Sequence, residues 1–438
     1  MAADDARISD LAALISQSVQ TILGEYAAAS RPVPSLDAVD LSQTLVNQRT
    51  RDAVRTLEAA CAQLCATVAP ASHTMVNRAF EMINPASLRV ALTARVADQL
   101  RDGPKPVSEL ARSAGMDADK LGRVLRSLAS KYCFREVTKD VYANNKLSTC
   151  LLPEDPTSSL IWLFADEVYT GLSCLADALS DPEWAASLDK DHTAFARAHK
   201  QNWFEFTVND PVCRERHPLA MVGWTKLNGG DGIVAQLFPW DDLPAGSTFC
   251  DLGGSVGHVA MALLKAKPHI NALVQEMPSV IVQAHEVWVQ EFPEATQTAR
   301  VQFIPIDFMA ESPVEGCDIY YLKHVLHDWV DDDCVTILRN VRRAMREGWS
   351  KVLIHELIIM DGAPDAGLSN ADHAPAPLLP NYGVGAQRKI HQDLNMLSLF
   401  NSRERTLDEF IAIGSRAGLK FARVWDGGDT AIVEFEAA

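Results

Sequence analysis

The sequence is short of positive charge. Its 438 residues carry 40 Lys and Arg against 57 Asp and Glu, for a formal net charge of −17. A surface that acidic repels a phosphate backbone, so nucleic acid is not an expected partner. Paired cysteines are missing too: the nine cysteines are scattered, with no C-x-x-C. That removes the commonest zinc and dithiol signatures and points to a reduced compartment. Cys61 and Cys65, on one apparent helix, read as two separate thiols. Long apolar runs are absent. VLIHELIIM is among the longest candidates, and it is short and charged, so no membrane span is expected. The start, MAADDARISDL, has neither the basic flank nor the apolar core of a signal peptide. A cytoplasmic protein is the expectation. The remaining composition, 47% apolar and 22% charged, is that of a globular chain long enough for two to three domains.

Residues 1–30 repeat Ile8, Leu11, Ile15, Val19 and Ile22 at helical spacing. RPVPSLD breaks the pattern, and a second helical run covers about 41–69. The stretch 88–147 predicts three helices and a hairpin: LRVALTARVADQL, then PVSELARSAG ending at Gly115, then DADKLGRVLRSLASKYC, then FREVTKDVYANNKLS. This is the pattern of a winged helix. Its third helix has few basic groups, so packing and dimerisation are expected of it rather than DNA binding. Residues 150–245 are mostly helical and rich in aromatics, including Trp162, Phe164, Tyr169, Trp203, Phe204, Phe206 and Trp224. Such residues fill cores, and as a set they suit a pocket for a flat ligand.

From residue 247 strand-like runs appear at STFCD, INALVQ, VQFIPI, CDIYYL, KVLIHEL, KFARVW and TAIVEF, with helical segments between most of the first five. That alternation predicts an α/β fold with a largely parallel sheet covered on both faces. Only DGGD separates the last two runs, which makes them an antiparallel hairpin. The expectation is therefore seven strands with an antiparallel last strand. Residues 362–388 are too rich in Pro, Gly and Ala to be regular, and so long a loop in a compact domain is usually functional or mobile.

FCDLGGSVGHVAMALL follows the first of these strands and opens a helix, a place where backbone N–H groups meet a ligand. A dinucleotide fingerprint does not fit, because Ser255 and His258 occupy two of its glycine positions. The arrangement Asp251-x-Gly253-Gly254-x-x-Gly257 is similar to a nucleoside loop. Glu276 then ends the second strand and Asp307-Phe308 the third, where open α/β sheets bind ligands.

DLGGSVGH, VQEMP, PIDF, LKHVLHDW, LIHEL and LNMLSLFNSRERTLDEF stand in the order and spacing of the cation-independent O-methyltransferases. The chain resembles that family, and most of all its fungal branch. The resemblance implies a Rossmann-like methyltransferase sheet and S-adenosylmethionine as cofactor. It implies that Asp251, Gly253, Gly254, Glu276, Asp307, Phe308 and Lys323 form the cofactor site. Two positions depart from the pattern: Glu276 stands where Asp is usual, and Ser255 replaces a glycine. The domain division expected is 1–150 for a helical, winged-helix dimerisation domain, 151–245 for a connector contributing to the substrate pocket, and 246–438 for the catalytic domain. A homodimer acting on a small aromatic or polyketide hydroxyl is implied.

The stretch LKHVLHDWVDDDC carries the chemistry. His324, His327, Asp328 and Cys334 lie close together, but no further Cys or His pair completes a zinc set, so no metal is expected. Asp331 to Asp333 suit a helix N-terminus. The resemblance implies that His327 is the general base, supported by Glu356 and Glu404. A phenol with a pKa of roughly 10 is 3 to 4 units above an ordinary histidine, a gap of about 5 kcal/mol that the site must close. A second chemistry on the same scaffold binds the cofactor without consuming it and promotes a pericyclic reaction or dehydration. The retained His327, Glu356 and Glu404 favour methyl transfer. The acceptor's ring pattern is not encoded in any motif.

Overall fold

The structure, a computed structural model, describes residues 3–39, 46–360, 362 and 373–438. It divides into two compact units. One holds the chain to 185 with 191–227 and 361–387; the other holds 186–190, 228–360 and 388–438.

The first unit begins with helices Ala3–Ala28 and Gln48–Val68, which pack on each other. The expected start of the second helix, 41–45, lies outside the described residues. Asn47 caps that helix by accepting from the Thr50 N–H. The winged helix follows: helices Val107–Ala114 and Ala118–Ser130, then β2 (Arg135–Thr138) and β3 (Val141–Ala143), with β1 (Lys105–Pro106) pairing antiparallel to β3. Asp117 caps the second of these helices through the Lys120 N–H, and Gly115, at φ +66, ends the first. Two details differ from the sequence reading. Lys105 and Pro106, at the junction of the first two expected helices, form the third strand of the wing. The single helix expected over LRVALTARVADQL is broken: Ile83–Thr93 and Val96–Gln99 are separated by Arg95 at φ +49, where its guanidinium holds Asp98. Around them Leu110, Leu121, Leu125, Phe134 and Tyr142 form one buried core. Helix Ala71–Phe80 buries no residue of its own, and Met75, Val76, Phe80 and Met82 stand exposed.

Residues 373–386 belong to this first unit. Leu378 is buried against Leu11, Ala59 and Ala60, and Gln63 donates to the Pro377 carbonyl. The segment is irregular until a short turn at Gly383–Ala386 leads into helix Gln387–Phe400, so the irregular stretch ends just short of the expected residue 388.

The second unit is built on a seven-stranded sheet: β4 (Thr248–Leu252), β5 (Asn271–Glu276), β6 (Val301–Pro305), β7 (Ile319–Lys323), β8 (Lys351–Glu356), β9 (Leu419–Asp426) and β10 (Ala431–Ala437). Their order is β6-β5-β4-β7-β8-β10-β9, and only β10 is reversed. The fold is thus the expected parallel sheet with an antiparallel last strand. Both faces are covered, which is why the central strands read as continuous apolar runs. Along β7, Ile319 and Tyr321 face the core that contains Met261 and Trp288. Tyr320 and Leu322 face the opposite core with Ile337 and Phe410. A buried chain of hydrogen bonds ties the strands together: the Tyr321 hydroxyl meets His355 Nδ1 at 2.5 Å, and His355 Nε2 meets Thr430 Oγ1 at 2.8 Å. The parallel strands all present their C-terminal ends at one edge. No helix of the described residues is long and apolar enough to cross a membrane.

Helix Leu407–Arg416 carries Gly414 against β10. A Cβ there would lie 2.5 Å from Phe435 Cε1, in a ring with no exposed surface. In an open helix Gly→Ala stabilises by about 0.5–1 kcal/mol, whereas overpacking a core costs about 1–3 kcal/mol. The clash decides the sign, so Gly414→Ala should lower the melting temperature in calorimetry. An unchanged or higher value contradicts this packing.

Candidate active site

The turn after β4 is shaped by contacts that exclude side chains. A Cβ on Gly254 would lie 2.4 Å from Asp251 Cγ. Gly253, at φ +71, brings the chain under Val325 and the Phe308 ring; Gly257, at φ +80, sits against Trp288 and Val274. The helix His258–Ala266 starts there. Asp251 is fully buried, its Oδ2 has no hydrogen-bond partner, and burial raises its pKa to about 7 against the lowering pull of Lys323. Glu276, half-buried at the end of β5, accepts the Met277 N–H at 2.8 Å, and burial raises its pKa. Asp307 is exposed just beyond β6 and accepts the Met309 N–H. Phe308 meets Trp329 edge-on at 5.9 Å. Lys323 ends β7 with a buried Nζ that has no hydrogen-bond partner; burial lowers its pKa, opposed by Asp231, Asp251 and Glu356. The seven predicted cofactor residues therefore lie at or just beyond the ends of β4, β5, β6 and β7.

The second cluster is built on the turn Leu326–Asp328 that follows β7. Glu356, at the end of β8, reaches across and accepts the Val325 and Leu326 N–H groups with Oε1, both at 3.0 Å. Its Oε2 stays 3.4 Å from His324 Nδ1 and 3.7 Å from His327 Nδ1. Glu404 is buried, and its Oε1 lies 2.8 Å from His327 Nδ1. Arg403 and Arg405 do not pair with Glu404. Arg403 binds Glu409, and Arg405 binds Asp331. The three predicted catalytic residues are thus brought together.

Two flanking residues that the motif reading did not single out hold this arrangement. The Ser402 hydroxyl donates toward the His327 and Trp329 carbonyls at 2.5 and 2.8 Å. The fully buried Arg405 guanidinium donates to the Leu326 and Trp329 carbonyls, both at 2.8 Å. Glu404 lies between two residues that grip the histidine turn, which fixes the approach of its carboxylate. SRERT carries no local signal for this: Ser402 and Arg405 are buried only through the fold, while Arg403 between them is exposed.

Burial alone disfavours an imidazolium at His327. The charges of Glu404, Glu356 and Asp328 outweigh it and raise the pKa from 6.5 to about 10. His324 goes the other way: burial and the neighbouring His327 hold it well below 6.5. The two rings lie 5.3 Å apart, nearly parallel. Candidate ligand atoms of His324, His327 and Glu356 all fall within 4.8 Å of one another, close enough to hold a cation.

Comparison with known proteins gives this geometry a context. Residues 58–154 match an O-methyltransferase dimerisation domain, and residues 183–420 match an O-methyltransferase domain. The chain is 43% identical to 3-O-methyltransferase 2 of Phanerochaete chrysosporium, over 98% of this chain and 97% of that one. It is 33% identical to O-methyltransferase gedA of Aspergillus terreus, over 94% and 92% of the two chains. Among solved structures it resembles CalO1, a methyltransferase of calicheamicin biosynthesis in its SAH-bound form, with a TM-score of 0.63, 27% identity, and coverage of 84% of this chain and 98% of that one.

The folded pKa of His327 lies above its unfolded value. Its imidazolium therefore stabilises the fold in full below about pH 6.5, and that stabilisation fades as pH rises through about 10. Glu404→Gln removes the nearest charge. NMR of histidine-labelled protein, assigned with His327→Gln, should show His327 titrating near 10 in the wild type and lower by roughly two pH units or more in Glu404→Gln. Equal titration in both proteins contradicts the electrostatic role of Glu404.

Proposed function

The chain belongs to the S-adenosylmethionine-dependent O-methyltransferase family, and from that membership we propose that it methylates a phenolic hydroxyl of an aromatic or polyketide-type secondary metabolite, with His327 as the base. The observation that carries this reading is the 2.8 Å contact of His327 Nδ1 with the buried Glu404. In neutral His327, Nδ1–H donates to Glu404 and Nε2 is left as the acceptor for the phenol proton. An imidazolium raised to about 10 matches a phenol of pKa roughly 10, so the proton moves between them at little cost. Glu356 supports the turn through two backbone N–H groups and adds a second negative charge beside the ring.

On this reading the cofactor lies along the sheet edge. The close backbone at Gly253 and Gly254, the carboxylates of Glu276 and Asp307, and the Phe308 ring suit a nucleoside, with Asp251 and Lys323 on the adjoining strands β4 and β7. When bound, S-adenosylmethionine supplies the electrophilic methyl group and a sulfonium charge that lowers the His327 pKa. The protein's part is to align the phenol oxygen with that methyl group, exclude water and hold the proton at Nε2. No metal is needed for this chemistry, although His324, His327 and Glu356 have the spacing to hold one. The matched dimerisation domain supports a homodimer, and the exposed apolar residues of helix Ala71–Phe80 are suited to such an interface.

The test is S-adenosylhomocysteine release from pH 6 to 10 with a phenolic acceptor. His327→Gln should lower the rate by roughly 10²–10⁴ near neutrality while binding S-adenosylmethionine almost normally. The deficit should narrow as the phenol ionises unaided. Wild-type activity should climb with pH as His327 deprotonates, and a chelator should leave it unchanged. A variant that matches wild type at every pH removes His327 from the base role. Activity abolished by a chelator and restored by zinc assigns the triad to a metal. Acceptor conversion without S-adenosylhomocysteine release supports the cofactor-assisted pericyclic or dehydrating chemistry instead.

A further inference from the structure

Buried polar atoms without a hydrogen-bond partner are rare, because desolvation without a compensating bond is costly, and more so for a charge. In the second unit three such groups belong to the region of the glycine loop. They are Asp251 Oδ2, Lys323 Nζ, and both amide atoms of Asn228, a residue only 1% exposed. Asn228 heads the turn Asn228-Gly229-Gly230-Asp231. Gly229 and Gly230 both take positive φ, at +95 and +76, which glycine tolerates immediately before Asp231. The turn continues as Asp231–Ile233, which packs on the helix that starts at the glycine loop. Val234 is fully buried in the same core as Ala260 and Leu264. The turn is therefore fixed beside the loop. Of the acids that sustain the buried Lys323 charge, Asp231 has the largest effect, ahead of Asp251, and Asp231 also acts on Asp251.

A buried ammonium and a buried amide, both without hydrogen-bond partners and near an acid-bearing turn, leave room for a ligand with both signs of charge. An α-amino acid is such a ligand. We propose that Asn228, Asp231 and Lys323 form the subsite for the amino-acid end of S-adenosylmethionine. The Asp231 carboxylate accepts from the α-ammonium. Lys323 Nζ and the Asn228 amide donate to the α-carboxylate. The inference rests on the cofactor reading above and extends it to two residues, Asn228 and Asp231, that no motif marks. It gives Lys323 a definite partner.

The experiment is calorimetric binding of three ligands to wild type, Asp231→Asn and Asn228→Ala. The ligands are S-adenosylhomocysteine, its deamino analogue, and 5′-methylthioadenosine, which lacks the amino acid altogether. Charge-assisted hydrogen bonds are worth about 1.5–3 kcal/mol, or roughly 10–100-fold in affinity. Wild type should bind the deamino analogue roughly 10–100-fold more weakly than S-adenosylhomocysteine. Asp231→Asn should lose a similar factor for S-adenosylhomocysteine and little for the deamino analogue. Asn228→Ala should weaken both carboxylate-bearing ligands. All three proteins should bind 5′-methylthioadenosine within about twofold, which also reports that the variants are folded. Equal affinity of wild type for S-adenosylhomocysteine and its deamino analogue overturns the proposal without any variant. Equal losses for all three ligands reduce the turn to a structural element. Wild type that binds none of the three overturns the cofactor reading itself, and this inference with it.

Discussion

The contact between His327 Nδ1 and Glu404 Oε1 is the interaction on which the rest of the arrangement depends. In water, an imidazole and a carboxylate at 2.8 Å would change each other little. Here both groups are buried, and screening by solvent is weak. Burial opposes the imidazolium, and Glu404, with further negative charge from Glu356 and Asp328, outweighs it. On the proposed reading, the difficulty posed by a phenol, whose proton is held too tightly for an ordinary histidine, is met by making the histidine a stronger base. That reading predicts activity that rises toward alkaline pH until the cofactor's positive charge offsets the carboxylates.

Such a cluster is costly to bury and must be held from several sides. Glu356 comes from the end of β8 and pins the backbone at Val325 and Leu326. Ser402 and Arg405 approach from the far end of helix Gln387–Phe400 and grip the carbonyls of the same turn. The parallel sheet brings these parts together. Every strand from β4 to β8 delivers its C-terminal residue to one edge, so a loop, the acids Glu276, Asp307 and Glu356, a lysine and the histidine turn gather there although they are drawn from residues 251 to 356. The Tyr321–His355–Thr430 chain locks β7 to β8 and to the reversed strand behind that edge.

Much of this was legible in the sequence, for identifiable reasons. Strands buried on both faces read as apolar runs, and the four residues of DGGD left no path for the last strand except an antiparallel one. Glycines at 253, 254 and 257 could be marked because only a missing side chain permits their contacts. Other features depend on pairing that no local pattern encodes. Lys105 and Pro106 become a strand only because β3 lies beside them. The break at Arg95 follows from a left-handed residue that propensity does not predict in an otherwise good helix. The burial of Arg405 and of Asn228 is a property of the folded core, since both residue types are usually exposed. The sequence also left open which of the two glutamates touches the imidazole. Glu404 does, while Glu356 spends one oxygen on backbone N–H groups.

The most direct test of the central claim is the dependence of single-turnover methyl transfer on acceptor acidity, across phenols with pKa values from about 7 to 10 at fixed pH. A base matched to the phenol offsets nucleophilicity against ease of proton removal, so wild type should show a shallow slope. Glu404→Gln should show a steep one that follows the fraction of phenol ionised in solution. The same slope in both proteins would contradict the account, because the buried carboxylate would then contribute nothing to moving the proton.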